Sequence, residues 1–116
     1  MNRALSFAAV SLGAVALAAC GNGTTDHLKI GDVLINGKPG FSVGTVTVTK
    51  GDKVDLRIDN NLPVPHGFSI DAYGIHRVVQ PRRPQELTFT ASKAGTFRIY
   101  CQLHPAHQPA TLLVVD

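Results

Sequence analysis

Four residues of this chain have the chemistry to hold a metal ion at one point: His66, Cys101, His104 and His107. The last three form Cys-x-x-His-x-x-His, and a short loop between two strands can bend such a set toward a single centre. A thiolate with imidazoles suits copper or zinc, and it excludes calcium and magnesium, which take oxygen donors. His66 follows Pro63-Val64-Pro65, whose fixed backbone angles set the approach to it before any metal arrives. Singly, each residue has an ordinary explanation. A Cys at the end of an apolar strand packs, and a His in a Pro-rich loop is solvated. Together they point to a metal centre. No Ser-His-acid set, carboxylate pair or phosphate-cradling Gly loop accompanies them, so the expectation is a metal-binding protein and not an enzyme.

The elements that must position these residues read as short strands. Leu28 to Ile35 alternates loosely and ends in the turn cluster Asn36-Gly37-Lys38-Pro39-Gly40. Val46 and Val48, then Val54, Leu56 and Ile58, alternate with polar residues on either side of Lys50-Gly51-Asp52, which predicts a hairpin. Phe68-Ser69-Ile70 is a further short strand, as are Leu87-Thr90, Phe97-Cys101 and Thr111-Val115. Tyr73-Gly74-Ile75-His76 reads as a solvated loop; with Arg77, Arg82 and Arg83 it offers a basic rim to an acidic partner. No window of helical spacing follows the leader. Seven to eight short strands punctuated by turn residues predict an all-β sandwich in one domain.

The first residues predict export. Met1-Asn2-Arg3 is followed by an uncharged apolar run to Ala19, too short for the ~20 residues of a spanning helix. Leu17-Ala18-Ala19-Cys20 resembles the box of bacterial lipoprotein precursors, which implies cleavage before Cys20 and a lipid on it. The division expected is a signal peptide at 1–19, lipidated Cys20 with a tether to residue 27, and a domain at 28–116. His27 falls at the end of the tether as a solvated residue. Gly21, not being acidic, favours an outer membrane in an organism that has one, and in any case the extracytoplasmic face. Removing the leader leaves ten Lys and Arg against eight Asp and Glu, with no basic run, so nucleic acid is not a partner. Of the two Cys, Cys20 is committed to the anchor, and Cys101 stands alone in an oxidising compartment, where a free thiol needs a reason.

Gly51-Asp52-Lys53-Val54, Asn60, His66-Gly67-Phe68, Phe89-Thr90, Ala94-Gly95-Thr96-Phe97 and Tyr100-Cys101 resemble the cupredoxin pattern, over about residues 44–115. The likeness is to plastocyanin- and amicyanin-like proteins and to the copper domains of nitrous oxide reductase and cytochrome oxidase subunit II. It implies a Greek-key sandwich and one mononuclear copper ion held by His66, Cys101, His104 and His107. The dinuclear oxidase-type centre resembles Cys-x-x-x-Cys-x-x-x-His, and a second Cys is missing here. The amicyanin pattern resembles Cys-x-x-His-x-x-Met, and His107 stands in place of the Met. Which His is axial stays open between the two alignments; a closely bound His107 implies a green or red centre of lowered potential. The resemblance implies one-electron transfer with a redox partner, or alternatively copper storage or delivery to an accepting protein at the membrane.

Overall fold

A computed structural model describes residues 24–116, so the leader, Cys20 and the first part of the expected tether lie outside the described residues. Nine strands run through them. These are β1 (Thr25–Ile35), β2 (Lys38–Phe41), β3 (Thr45–Thr49), β4 (Lys53–Asn60), β5 (His66–Ile70), β6 (Ile75–Val79), β7 (Gln85–Thr90), β8 (Gly95–Ile99) and β9 (Ala110–Val115). One sheet has the order β2-β1-β4-β7, and the facing layer contains β3-β9-β8. The β5-β6 ribbon extends this second layer, because Ser69 and Tyr100 exchange backbone hydrogen bonds of 2.8 and 3.0 Å. β1-β4 and β3-β9 are parallel pairs, and the remaining pairs are antiparallel. The expected all-β sandwich is present, with two strands more than the lower expected count.

The alternation in β4 explains how the layers meet. Val54, Leu56, Ile58 and Asn60 point inward and are buried, while Asp55, Arg57 and Asp59 face outward. Ile30 from β1, Phe68 and Ile70 from β5, Ile99 from β8 and Leu112 and Val114 from β9 close the core from both layers. Each such side chain contributes about 1.5–3 kcal/mol on burial. Asn60 continues the inward phase although it is polar. Its Nδ2 donates to the carbonyls of Val64 (2.8 Å) and Val79 (2.9 Å), and its Oδ1 accepts from Leu62 N–H (2.9 Å). These three bonds hold the segment that delivers His66.

Four expectations need correction. β3 and β4 do not form a hairpin: β3 pairs with β9, and β4 pairs with β1 and β7. Lys50-Gly51-Asp52 is an arch between layers, and period-two alternation is the same for an arch as for a hairpin. Asp52 fastens it by accepting from Thr24 N–H (3.1 Å) and Thr49 N–H (3.3 Å). The turn cluster after Ile35 shrinks to Asn36 and Gly37, both at positive φ, and Lys38–Phe41 becomes a strand. Pro39 is tolerated there because β2 is at the sheet edge. The expected loop at residues 75–76 belongs to β6, whose three central residues are exposed, so the strand leaves no alternating signal. Finally, β1 begins at Thr25, within the expected tether. Thr25, Asp26 and His27 pair with Lys53, Val54 and Asp55, and exposed His27 reaches the Asp55 carboxylate at 3.2 Å. The backbone ladder holds these polar residues without an apolar pattern to announce them.

Arg82 also departs from the ordinary: its φ of 60° is a left-handed conformation. Its N–H donates to Asn60 carbonyl at 3.0 Å. A Gly would take this backbone without steric cost.

Candidate metal centre

The centre lies at one end of the sandwich, where β5 begins and the loop from β8 to β9 crosses over. His66 is the first residue of β5 and is buried. Cys101 follows Tyr100, whose backbone is bridged to Ser69, so the segments that carry His66 and Cys101 share one set of hydrogen bonds. Cys101 Sγ is 3.6 Å from His104 Nδ1 and 3.9 Å from His66 Nδ1. A metal bound about 2.0–2.1 Å from nitrogen and about 2.3 Å from sulfur sets those atoms roughly 3.6–3.8 Å apart at tetrahedral to trigonal angles. The two sulfur-to-nitrogen distances match that range closely, and the donor atoms of His66, Cys101 and His104 all lie within 4.8 Å of one another.

The surroundings hold the sulfur in place. Gly67 N–H donates to Cys101 Sγ at 3.1 Å. A side chain at Gly67 would meet the backbone nitrogen of Gln102 at 2.8 Å and its amide nearer still, so only glycine permits this approach. Gln102 braces the loop: Ser69 Oγ donates to its Oε1 (2.7 Å), and its Nε2 donates to Arg77 carbonyl (2.8 Å). Burial pushes the His66 imidazole below its ordinary pKa range, against the nearby Asp32 carboxylate, which raises it; His107 and His104 lower it further. His66 thus presents the neutral, metal-binding form over a wider pH range.

The four residues expected from the sequence are not equivalent in space. The structure brings His66, Cys101 and His104 together, and groups His107 with Asp32 and His66. His107 is buried against Phe41, ring centroids 4.4 Å apart, and its Nε2 lies 2.9 Å from Asp32 Oδ1. His104 is half-buried. Beside it and His66 opens an apolar groove of about 360 Å³, lined also by Leu34, Leu62, Pro63 and Val64. His76, expected in a solvated loop, is instead in β6, with Nδ1 3.2 Å from Ser69 Oγ.

Asp32 is the residue that sequence reading missed. It lies two positions after Ile30, on the same inward phase of β1, in register with Asn60. A carboxylate on the buried phase of a strand was the available signal.

Comparison with known proteins agrees with this geometry. Residues 8–114 match the family model described as "Cupredoxin-like domain". The nitrous-oxide reductase of Cupriavidus necator is 36% identical over 84 residues, covering 67% of this chain and 13% of that protein. That of Stutzerimonas stutzeri is 32% identical over 79 residues, covering 66% and 12%. The chain thus spans about an eighth of the curated relatives it matches. Among solved structures, a copper nitrite reductase from Nitrosomonas europaea superposes with a TM-score of 0.68 at 20% identity, over 78% of this chain and 41% of that one. The multicopper oxidase mgLAC gives 0.61 at 17%, over 78% and 39%. These two share the fold. With a cysteine sulfur and two imidazoles gathered at one end of its sandwich, the chain belongs to the cupredoxin-like domain family, and copper is its cofactor.

Proposed function

We propose that this domain is an extracytoplasmic, lipid-anchored electron carrier with a mononuclear copper centre held by His66, Cys101 and His104. The observation that carries the reading is that one cysteine sulfur has two Nδ1 atoms within 3.9 Å of it, on segments tied to each other by backbone bonds. Copper supplies a one-electron couple when bound there. The protein's part is to hold the donors still. Cys101 and His66 are enclosed, Gly67 N–H fixes the sulfur, and Gln102 braces the loop. Rigid donors keep rearrangement small, which lowers the barrier to transfer. A single Cys among the donors supports one metal ion and not a thiolate-bridged pair.

Half-buried His104 is the natural point of exit. It borders the apolar groove, where a redox partner's surface can exclude water beside the imidazole. The same accessibility favours a second reading, in which an acceptor protein takes the metal through His104. Repeated reduction and reoxidation of the loaded protein separates them. A carrier is expected to keep its copper through at least ten cycles and to hold it against a copper-free acceptor chain. Stoichiometric loss to the acceptor supports delivery and contradicts electron transfer.

The anchor is proposed from Leu17-Ala18-Ala19-Cys20 alone. Cys20→Ser is expected to move the protein from the membrane to the soluble fraction or leave the precursor uncut. Wild-type protein found soluble, cleaved and without lipid would contradict it.

A further inference from the structure

Asp32 is 1% exposed, yet it carries a carboxyl group. Oδ1 meets His107 Nε2 at 2.9 Å, and Oδ2 is buried with no hydrogen-bond partner. The other nitrogen of His107, Nδ1, is 3.0 Å from the carbonyl oxygen of Gln108. A carbonyl can only accept, so Nδ1 carries a hydrogen. Nε2 then either donates to the carboxylate or accepts from the carboxylic acid, and both arrangements engage it. Neither nitrogen keeps a lone pair for a metal.

Three further contacts hold the imidazole in this place. Phe41 packs on its ring, His107 N–H donates to His104 carbonyl at 3.0 Å, and Gln108 N–H donates to Pro39 carbonyl at 2.9 Å. Its ring centroid is 5.1 Å from that of His66. His107 is therefore beside the metal donors and withheld from them. Turning it toward the copper would strand both oxygens of a buried carboxyl group, a costly arrangement.

We propose that Asp32 is a positioning residue that keeps His107 off the copper, so that two imidazoles and one thiolate form the centre while a hydrogen-bonded, non-ligating imidazole closes the site behind them. This rests on the three-donor reading above. The consequence is chemical: a third imidazole would favour Cu(II) and weaken the bond to Cys101, and Asp32 prevents both.

The test counts imidazoles on copper(II) by pulsed electron-spin resonance, alongside the optical spectrum and reduction potential of the loaded full chain. Wild type is expected to show two imidazoles. Asp32→Ala frees Nε2, so it should show three, with a shifted thiolate band and a lowered potential. Asp32→Ala with His107→Ala should return the count to two, and Asp32→Asn, which can still bond Nε2, should keep the wild-type spectrum. Three imidazoles in wild type, or an Asp32→Ala protein unchanged in count, band and potential, would overturn the proposal. Nitrogen-15 shifts of the copper-free protein supply a readout independent of the metal. They should show His107 with Nδ1 protonated and Nε2 hydrogen-bonded, and a His107 with a free ring nitrogen overturns the proposal even where Asp32→Ala does not fold. A wild-type protein with that lock but no thiolate band contradicts only the three-donor reading.

Discussion

Cys101→Ser removes the sulfur-to-copper absorption entirely and leaves the sandwich folded. The band requires a thiolate on the metal, and among the described residues Cys101 is the single free cysteine within reach. A serine hydroxyl is a harder, weaker donor, so copper(II) would remain on two imidazoles with low affinity and little colour. Folding is spared because the core of Ile30, Ile58, Phe68, Ile99 and Leu112 is buried without help from the metal. This separates the domain from metal-dependent folds such as zinc fingers. Circular dichroism of the copper-free variant should match wild type. An unchanged absorption spectrum in the copper-loaded variant would show that the sulfur is not a ligand.

The second large effect is expected at a residue that is not itself a donor. Asn60→Ala removes three hydrogen bonds at once and leaves the Val64 and Val79 carbonyls and the Leu62 N–H without their partner. At about 1 kcal/mol for each bond, the loss is about 3 kcal/mol, or roughly 12–24 °C in the melting temperature of a domain this size. The segment from Leu62 to Pro65 leads directly into His66, so its release should also weaken copper retention about tenfold, as loss of a supporting contact does. Thermal melts of the copper-free protein and a competition titration with a chelator measure the two effects. A melt within about 1 kcal/mol of wild type would mean that water replaces the amide, and that the loop does not depend on it.

Asn60 also shows how far the sequence could be read. The run Val54, Leu56, Ile58 made β4 plain, because one face is apolar at period two, and Asn60 could be quoted as part of a family resemblance. What the residue does follows only from its partners, which are 2 to 19 positions away in the chain. The same division holds for the arch at Gly51. Alternation states which side chains face inward, but hairpin and arch differ only in which strand supplies the hydrogen bonds. β6 escaped because an edge strand with His76, Arg77 and Val78 exposed has no inward period to detect.

At the metal centre, donor chemistry was legible and donor geometry was not. Cys-x-x-His with an upstream His named the three residues whose atoms converge. His107 shares their spacing, but its Nε2 meets Asp32, 75 residues earlier, through a contact that no local pattern records. A buried carboxyl group can claim an imidazole that the motif alone would give to copper.

In the proposed centre, a thiolate and two imidazoles bind one copper ion. Titration of the copper-free protein with copper(II), followed by optical absorption and electron-spin resonance, tests it most directly. Saturation is expected at one equivalent per chain, with a sulfur-to-copper band rising in proportion to bound metal and nitrogen couplings from two imidazoles. Binding without that band, or a band that saturates at two equivalents, would contradict it.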